Sequence, residues 1–123
     1  MKLHLDQHNA QYFVTGYGMD HVMVNGVPHT QSMVVLPEEL IIPWAGAWAD
    51  LNDRDFEILT LRAPEIVLLG TGPRQRFPAP EVYKGLIRAR IGVEIMDTQA
   101  ACRTYNILAA EGRRVAAALL LGG

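Results

Sequence analysis

The first half of the chain alternates short apolar runs with turn-forming residues, a pattern that predicts β-strands. Residues 12–17 are rich in β-forming side chains. The dipeptide Asn25-Gly26 separates one short apolar run from a second run at 27–36, and such a dipeptide between two strands predicts a two-residue type I′ hairpin. A further short strand is predicted at 40–44.

The two-residue turn also sets the register of the hairpin. The predicted pairs are Val24 with Val27, Met23 with Pro28, Val22 with His29 and His21 with Thr30. Pro28 then falls at a pair that exchanges no hydrogen bonds, so its missing N–H costs the hairpin nothing. His21 and His29 fall on opposite faces, because alternate residues of a strand point opposite ways, and this argues against a metal site there.

The second half alternates apolar runs with helical segments, which is typical of an α/β domain. Residues 65–70 form an almost continuous apolar run that ends in glycine, and this predicts a buried strand of the parallel type. Further strands are predicted at 92–96 and 113–121. Three helices are predicted, one beginning at Asn52 or Asp53 and ending near 61, one at 81–90, and one capped by Asp97 or Thr98 and running over 99–110.

Composition agrees with one domain over residues 1–123, in which the hairpin either extends the main sheet or packs on it as a further layer. Half of the residues are apolar and the net charge is −2, which excludes a disordered chain. The longest apolar run, at 115–121, is far shorter than a membrane-spanning helix, and the N-terminus lacks the apolar region of a signal peptide. The expected compartment is the cytoplasm, which suits the lone thiol of Cys102.

The charges are unevenly distributed along the chain. Residues 1–73 hold three basic and nine acidic residues, a balance of −6, whereas residues 74–123 hold eight basic and four acidic residues, a balance of +4. A basic half of this kind suits a nucleic acid, an anionic lipid or an acidic partner, unless its arginines simply coat exposed helix faces. The isoelectric point near 6.0 and the lack of a recognised nucleic-acid-binding motif argue against nucleic acid.

A glycine turn, Gly70-Thr71-Gly72, closes the strand predicted at 65–70. Ligands of open α/β sheets bind at the carboxyl ends of strands, and glycine allows the backbone to approach a ligand closely. The dinucleotide fingerprint requires a third glycine where this chain has Gln75, so that class of site is not indicated. The alternative is a tight turn that binds no ligand.

The helix predicted at 99–110 contains an unusual polar run, Arg103-Thr104-Tyr105-Asn106. Arg103 is suited to hold a carboxylate or a phosphate, with Tyr105 and Asn106 hydrogen bonding nearby. The alternative is that Arg103 pairs with an acidic residue, Glu94 or Asp97, while Tyr105 and Asn106 satisfy buried backbone groups.

Catalytic chemistry has few candidates in this sequence. Cys102 is either a nucleophile with a lowered pKa near a helix start or a buried, inert thiol. Nucleophilic catalysis also requires a positioned base, and the four histidines all lie within residues 4–29. We therefore expect no catalytic residue, no metal site and no cofactor.

Three stretches together resemble a known family. They are 64–72 with its Gly-Thr-Gly turn, 92–96, and 97–119 with its Ala-Cys-Arg-Thr-Tyr-Asn run. In this order and spacing they are similar to bacterial members of the Mth938-like domain family, also called domain of unknown function 498. The resemblance implies a three-layer α/β fold with a central mixed sheet and extra strands packed beside it. It also links the chain to a mitochondrial relative that assists assembly of respiratory complex I, although this N-terminus shows no mitochondrial presequence.

Two functions follow as hypotheses. The first is a non-enzymatic protein-interaction or assembly factor for respiratory complex I or another membrane complex, with no heptad pattern to indicate an oligomer. The second is a small-molecule-binding protein or an enzyme whose pocket lies between the glycine turn and the polar run. Both hypotheses use one candidate binding surface, which consists of Gly70, Thr71, Gly72, Arg103, Thr104, Tyr105 and Asn106.

Overall fold

Eight strands and three helices form the part of the chain that the computed structural model describes, residues 10–122. The strands are β1 Val14–Tyr17, β2 Val22–Val24, β3 Val27–His29, β4 Met33–Leu36, β5 Glu39–Ile41, β6 Ile66–Thr71, β7 Gly92–Met96 and β8 Val115–Leu120. The helices are α1 Glu57–Arg62, α2 Lys84–Arg88 and α3 Thr98–Ala110. The strands make a small sheet of order β1-β2-β3 and a large mixed sheet of order β5-β4-β8-β6-β7.

The hairpin of β2 and β3 has the predicted register. The observed pairs are Val22 with His29, Met23 with Pro28 and Val24 with Val27. Asn25 and Gly26 have φ angles of 50° and 82°, the left-handed values that a type I′ turn requires. The turn and three of the four predicted pairs are therefore confirmed, whereas the fourth, His21 with Thr30, lies beyond the ladder, which ends at Val22 and His29.

The apolar run at 27–36 is divided between the two sheets. β3 ends at His29, and β4 begins at Met33 in the large sheet. Ser32 lies in the break, where its hydroxyl accepts a hydrogen bond from the Ala45 N–H (2.9 Å) and its carbonyl accepts one from the Trp44 N–H (3.0 Å). The hairpin consequently packs as part of another layer and does not extend the main sheet.

The strand predicted at 65–70 is the interior strand β6. It pairs in parallel with β7 on one side and with β8 on the other. Val67, Leu68 and Leu69 are fully buried, and every residue of β8 is buried as well. Near-continuous apolar runs predict these strands because both faces of the sheet are covered.

The large sheet has a layer on each face, so the domain has three layers. One face packs against α3 and the small sheet, in a core that contains Val22 and Tyr105. The other face packs against α1 and α2, in a core that contains Leu59 and Leu86. The expected three-layer α/β fold with a central mixed sheet is therefore confirmed.

The helices differ in part from their predicted extents. A 3-10 turn at Asp53–Phe56, capped by Asn52, leads into α1. The helix predicted at 81–90 is a 3-10 turn at Pro80–Tyr83 followed by the five-residue α2. Asp97 caps α3, as one of the two predicted alternatives stated. In the described part of the chain, each helix lacks the length and apolarity needed to cross a bilayer.

Candidate binding surface

The glycines of the Gly70-Thr71-Gly72 turn allow β6, α3 and the C-terminal segment to approach one another. A Cβ atom on Gly70 would lie 2.9 Å from Thr98 Oγ1 and 3.0 Å from Leu119 Cδ2. A Cβ atom on Gly72, whose φ is +95°, would lie 2.6 Å from the carbonyl oxygen of Gly122. Both positions therefore require glycine for packing, before any ligand is considered.

Thr98 connects three elements at this junction. Its buried hydroxyl accepts a hydrogen bond from the Gly72 N–H (2.8 Å) and donates one to the Leu120 carbonyl (2.6 Å). The Thr98 N–H donates to the Gly72 carbonyl (2.9 Å). Sequence reasoning treated Thr98 only as a possible helix cap, because its partners depend on where β8 ends in space.

Thr71 holds the loop that follows β6. Its buried hydroxyl donates to the Arg74 carbonyl (2.7 Å) and accepts from the Arg76 N–H (3.1 Å). The Arg76 guanidinium donates through Nη2 to the Thr71 carbonyl (2.8 Å) and lies 4.4 Å from the centre of the Trp48 ring, a cation–π contact. The threonine of the turn is thus fully engaged in local structure.

Arg103 is the member of the predicted surface that is most open to solvent. Its Nη1 donates to the Tyr17 hydroxyl (2.8 Å), and the guanidinium lies 6.0 Å from the Tyr17 ring centre. The expected alternative of an ion pair with Glu94 or Asp97 is wrong, since the described residues place Tyr17 against the guanidinium instead. The hydrogen bond to Tyr17 raises the pKa of Arg103 above its ordinary value, so the surface keeps a positive charge at this point.

Tyr105 and Asn106 attach α3 to β1 and to the segment just before it. The Tyr105 hydroxyl donates to the Tyr12 carbonyl (2.9 Å), and burial raises the pKa of this phenol. Asn106 Oδ1 accepts from the Val14 N–H (2.9 Å), while its Nδ2 donates to the Val14 carbonyl (2.7 Å). One amide side chain therefore pairs with this residue of β1 as a neighbouring strand would, which is the predicted alternative of satisfying backbone groups.

The side chains of Thr104 and Cys102 are engaged within the fold. The Thr104 hydroxyl donates to the Ala100 carbonyl one turn earlier in α3 (2.9 Å). Cys102 is fully buried, and this burial raises the pKa of its thiol to about 12. Of the two predicted alternatives, the structure therefore shows the buried thiol, and its raised pKa favours the protonated form at physiological pH.

A cleft of about 100 Å³ lies beside the glycine turn. Its walls are Gly18, Met19, Gly72, Pro73, Thr98, Gln99, Leu120, Leu121 and Gly122. Gly72 is the member of the predicted surface that lines it, whereas Arg103 lies one helical turn beyond Gln99 on the same side of α3. The cleft is smaller than the roughly 300–1,000 Å³ typical of small-molecule sites. The two predicted segments are thus joined by one face of α3 and do not line this cleft together.

Solved structures share this fold. A protein of Bordetella parapertussis has a TM-score of 0.85 and 43% identity, with 92% of this chain and 98% of that chain covered. A protein of Bordetella pertussis described as a Mth938-like domain has a TM-score of 0.79 and 36% identity, with 91% and 87% covered. The chain is therefore a domain of the Mth938-like class.

The chain belongs to the family of proteins of unknown function DUF498/DUF598, whose family model matches residues 14–120. It is similar to NADH dehydrogenase (ubiquinone) 1 alpha subcomplex assembly factor 3 of Bos taurus, with 32% identity over 110 residues. That match covers 88% of this chain and 60% of the relative, so the chain spans about 60% of the length of this curated relative. The resemblance stated from the sequence is confirmed.

Proposed function

We propose that this chain is a non-enzymatic assembly factor that binds a protein partner belonging to respiratory complex I or to another membrane complex. The observation that carries this proposal is the similarity to complex I assembly factor 3 over 88% of the chain. The similarity extends through the strands and helices of all three layers, so the fold as a whole, and not one motif, relates the two proteins. The cytoplasm is the compartment that we propose for it.

The hydrogen bonds of the candidate surface limit which of its side chains are free to bind a partner. Thr71, Tyr105 and Asn106 use their polar atoms on backbone groups of the domain itself. Their geometry therefore serves the fold, and a partner would meet the side chains that project beyond them.

We place the partner on the side of α3 that carries Arg103, beside the cleft at Gly72. Met19, at the edge of that cleft, is 75% exposed, and Pro73 is exposed next to it. Arg103 is bonded to Tyr17, two residues before Met19, and both arginine and methionine are enriched at protein interfaces. The positive charge of Arg103 suits an acidic residue on the partner.

The test is deletion of the gene in the source organism, followed by native gel electrophoresis of the membranes. The assembly role predicts less fully assembled NADH–ubiquinone oxidoreductase, or less of another membrane complex, and accumulation of its subcomplexes. The turnover of whatever complex is assembled should be unchanged, because an assembly role affects the amount of the complex and not its catalysis. Membrane complexes of normal amount and size in the deletion strain would overturn the proposal.

A charge reversal tests where the partner binds. Arg103→Glu, supplied to the deletion strain, should fail to restore assembly. Arg90→Glu is the matched control, since Arg90 is also exposed but lies in the turn between α2 and β7. Equal restoration by both variants would exclude the Arg103 side as the docking surface.

A further inference from the structure

A second concave surface lies in the opposite layer, between α1 and α2. It is a groove of about 300 Å³, lined by Asp53, Glu57, Thr60, Leu61 and Gly85. Leu61 is 82% exposed at its edge, so a leucine side chain stands in solvent beside an open depression. This acceptor groove, as we name these five residues, lies across the large sheet from Arg103.

The polar atoms of the acceptor groove are all suited to accept hydrogen bonds. Asp53 Oδ1 accepts from the Gly85 N–H (3.2 Å), which leaves the other carboxylate oxygen open. The Thr60 hydroxyl uses its proton on the Phe56 carbonyl (3.3 Å), so only lone pairs face outward. The carboxylate of Glu57 is exposed and has no ion pair with any residue of the described part.

Among residues 10–122, no lysine or arginine lines the acceptor groove, so its two carboxylates are not neutralised from within. Gly85 adds to the space, because a Cβ atom there would lie 3.3 Å from Asp53 Oδ1 and 3.9 Å from Thr60 Oγ1. The groove therefore combines negative charge, hydrogen-bond acceptors, bare backbone and one apolar wall. Such a lining repels phosphate groups and acidic peptides, and it attracts a cation that carries several donors.

We propose that the acceptor groove binds an arginine side chain of the partner protein, with an apolar residue of the same segment packed on Leu61. A guanidinium offers five donors in a plane, which suits two carboxylates better than the single point charge of lysine. The aliphatic stem of the arginine packs on Leu61 and on the bare backbone of Gly85. This inference rests on the proposed function, since it assigns the chemistry of the partner segment.

The test is titration of the ¹⁵N-labelled chain with two short peptides, followed by NMR. One peptide is acetyl-Leu-Arg-Leu-amide, and the other replaces arginine with citrulline, which has nearly the same shape and no charge. We expect the arginine peptide to shift the amide signals of Thr60, Leu61 and Gly85, and the citrulline peptide to leave them in place. Equal shifts with both peptides would overturn the proposal, and so would the absence of any shift at these amides up to the solubility limit of the peptide.

Two surface variants identify the residues that bind. Glu57→Gln and Leu61→Ser should each weaken the binding of the arginine peptide by roughly fivefold or more, equivalent to about 1 kcal/mol. Matched controls are Glu111→Gln and Ile107→Ser, because Glu111 is exposed and Ile107 is 59% exposed at the other side of the sheet. Equal peptide affinity in the groove variants and the controls would contradict the assignment.

The double variant Glu57→Gln/Leu61→Ser separates this inference from the proposed function. If it restores membrane-complex assembly to the deletion strain as well as the unchanged chain does, the acceptor groove is not the partner site, while the assembly role stands. If the deletion itself leaves assembly normal, the assembly role fails whatever the peptides do. A dimer that forms at high concentration and disappears in Leu61→Ser would instead assign the groove to a second copy of the chain, and would overturn the partner proposal.

Discussion

The missing side chain of Gly70 lets α3 begin directly against β6. The hydroxyl and Cα of Thr98 occupy the space that a Cβ atom would need, at 2.9 and 3.0 Å. The interior around this position is closed by Leu119, and a packed interior does not yield freely to added volume. At the scale of single residues, the turn that looked like a ligand site is explained by contact between elements.

We predict that Gly70→Ala lowers the free energy of unfolding by about 1–3 kcal/mol, the usual cost of overpacking. The matched control is Gly92→Ala in the neighbouring strand, where the nearest atom to a new Cβ would be 3.5 Å away. This control should change stability by less than about 0.5 kcal/mol. Urea unfolding measures both values, and equal losses would show that the close approach at Gly70 is not what requires glycine.

At the scale of elements, β1 is joined to α3 through side chains rather than through a strand ladder. Both backbone groups of Val14 are paired with the Asn106 amide. Buried or half-buried backbone groups that lose a partner cost about 1–3 kcal/mol each. Asn106 therefore contributes to holding the small sheet on the rest of the domain, together with the core that the two share.

Asn106→Ala should destabilise the domain by about 2 kcal/mol, because it leaves both groups of Val14 without their amide partner. Hydrogen exchange should accelerate most at the Val14 amide, since its acceptor is removed. Arg103→Ala serves as the control, because it removes an exposed hydrogen bond from the same helix and should cost less than about 0.5 kcal/mol. Uniform acceleration of exchange across the large sheet would contradict a local role for Asn106.

Some elements could be predicted from the sequence in detail, and others only in outline. The Asn25-Gly26 turn defines the register of its hairpin because the signal is local to four residues. The break between β3 and β4 was not predicted, since it depends on Ser32 meeting Ala45, a contact across the fold. The helix at 81–90 was predicted too long, because the 3-10 turn at Pro80–Tyr83 precedes its regular part.

For the polar run on α3, the sequence offered alternatives, and the structure shows one of them for Tyr105 and Asn106, whose side chains satisfy backbone groups. The polar run on α3 was recognised, but the direction in which each side chain points depends on where β1 lies. Thr98 and the acceptor groove were missed for the same reason, since their partners come from distant parts of the chain. Chemistry that is assembled by tertiary contact leaves little local pattern in a sequence.

At the scale of the whole molecule, the two proposed binding surfaces lie on opposite faces of the large sheet. Arg103 belongs to the layer of α3, whereas Leu61 and Gly85 belong to the layer of α1 and α2. The two surfaces also carry opposite charges, positive at Arg103 and negative in the acceptor groove. Substitutions on one face therefore leave the other face intact, and the two binding tests are independent.

The stability of the molecule falls at alkaline pH because the thiol of Cys102 is buried. Burial raises the pKa of the folded thiol from 9.0 to about 12, so the unfolded chain releases this proton first as pH rises. The contribution of the buried thiol to the free energy of unfolding is complete below pH 9 and is lost progressively between about 9 and 12, at up to ~1.4 kcal/mol per pH unit.

Cys102→Ala removes this pH dependence. The difference in the free energy of unfolding between the unchanged chain and the variant should therefore fall by about 2 kcal/mol between about pH 8 and pH 10.5. Tyr105 is present in both proteins, so the effect of its own raised pKa on stability cancels in the difference. Urea unfolding across that pH range measures the difference, and a constant value would mean that the thiol is as open to ionisation in the folded chain as in the unfolded one.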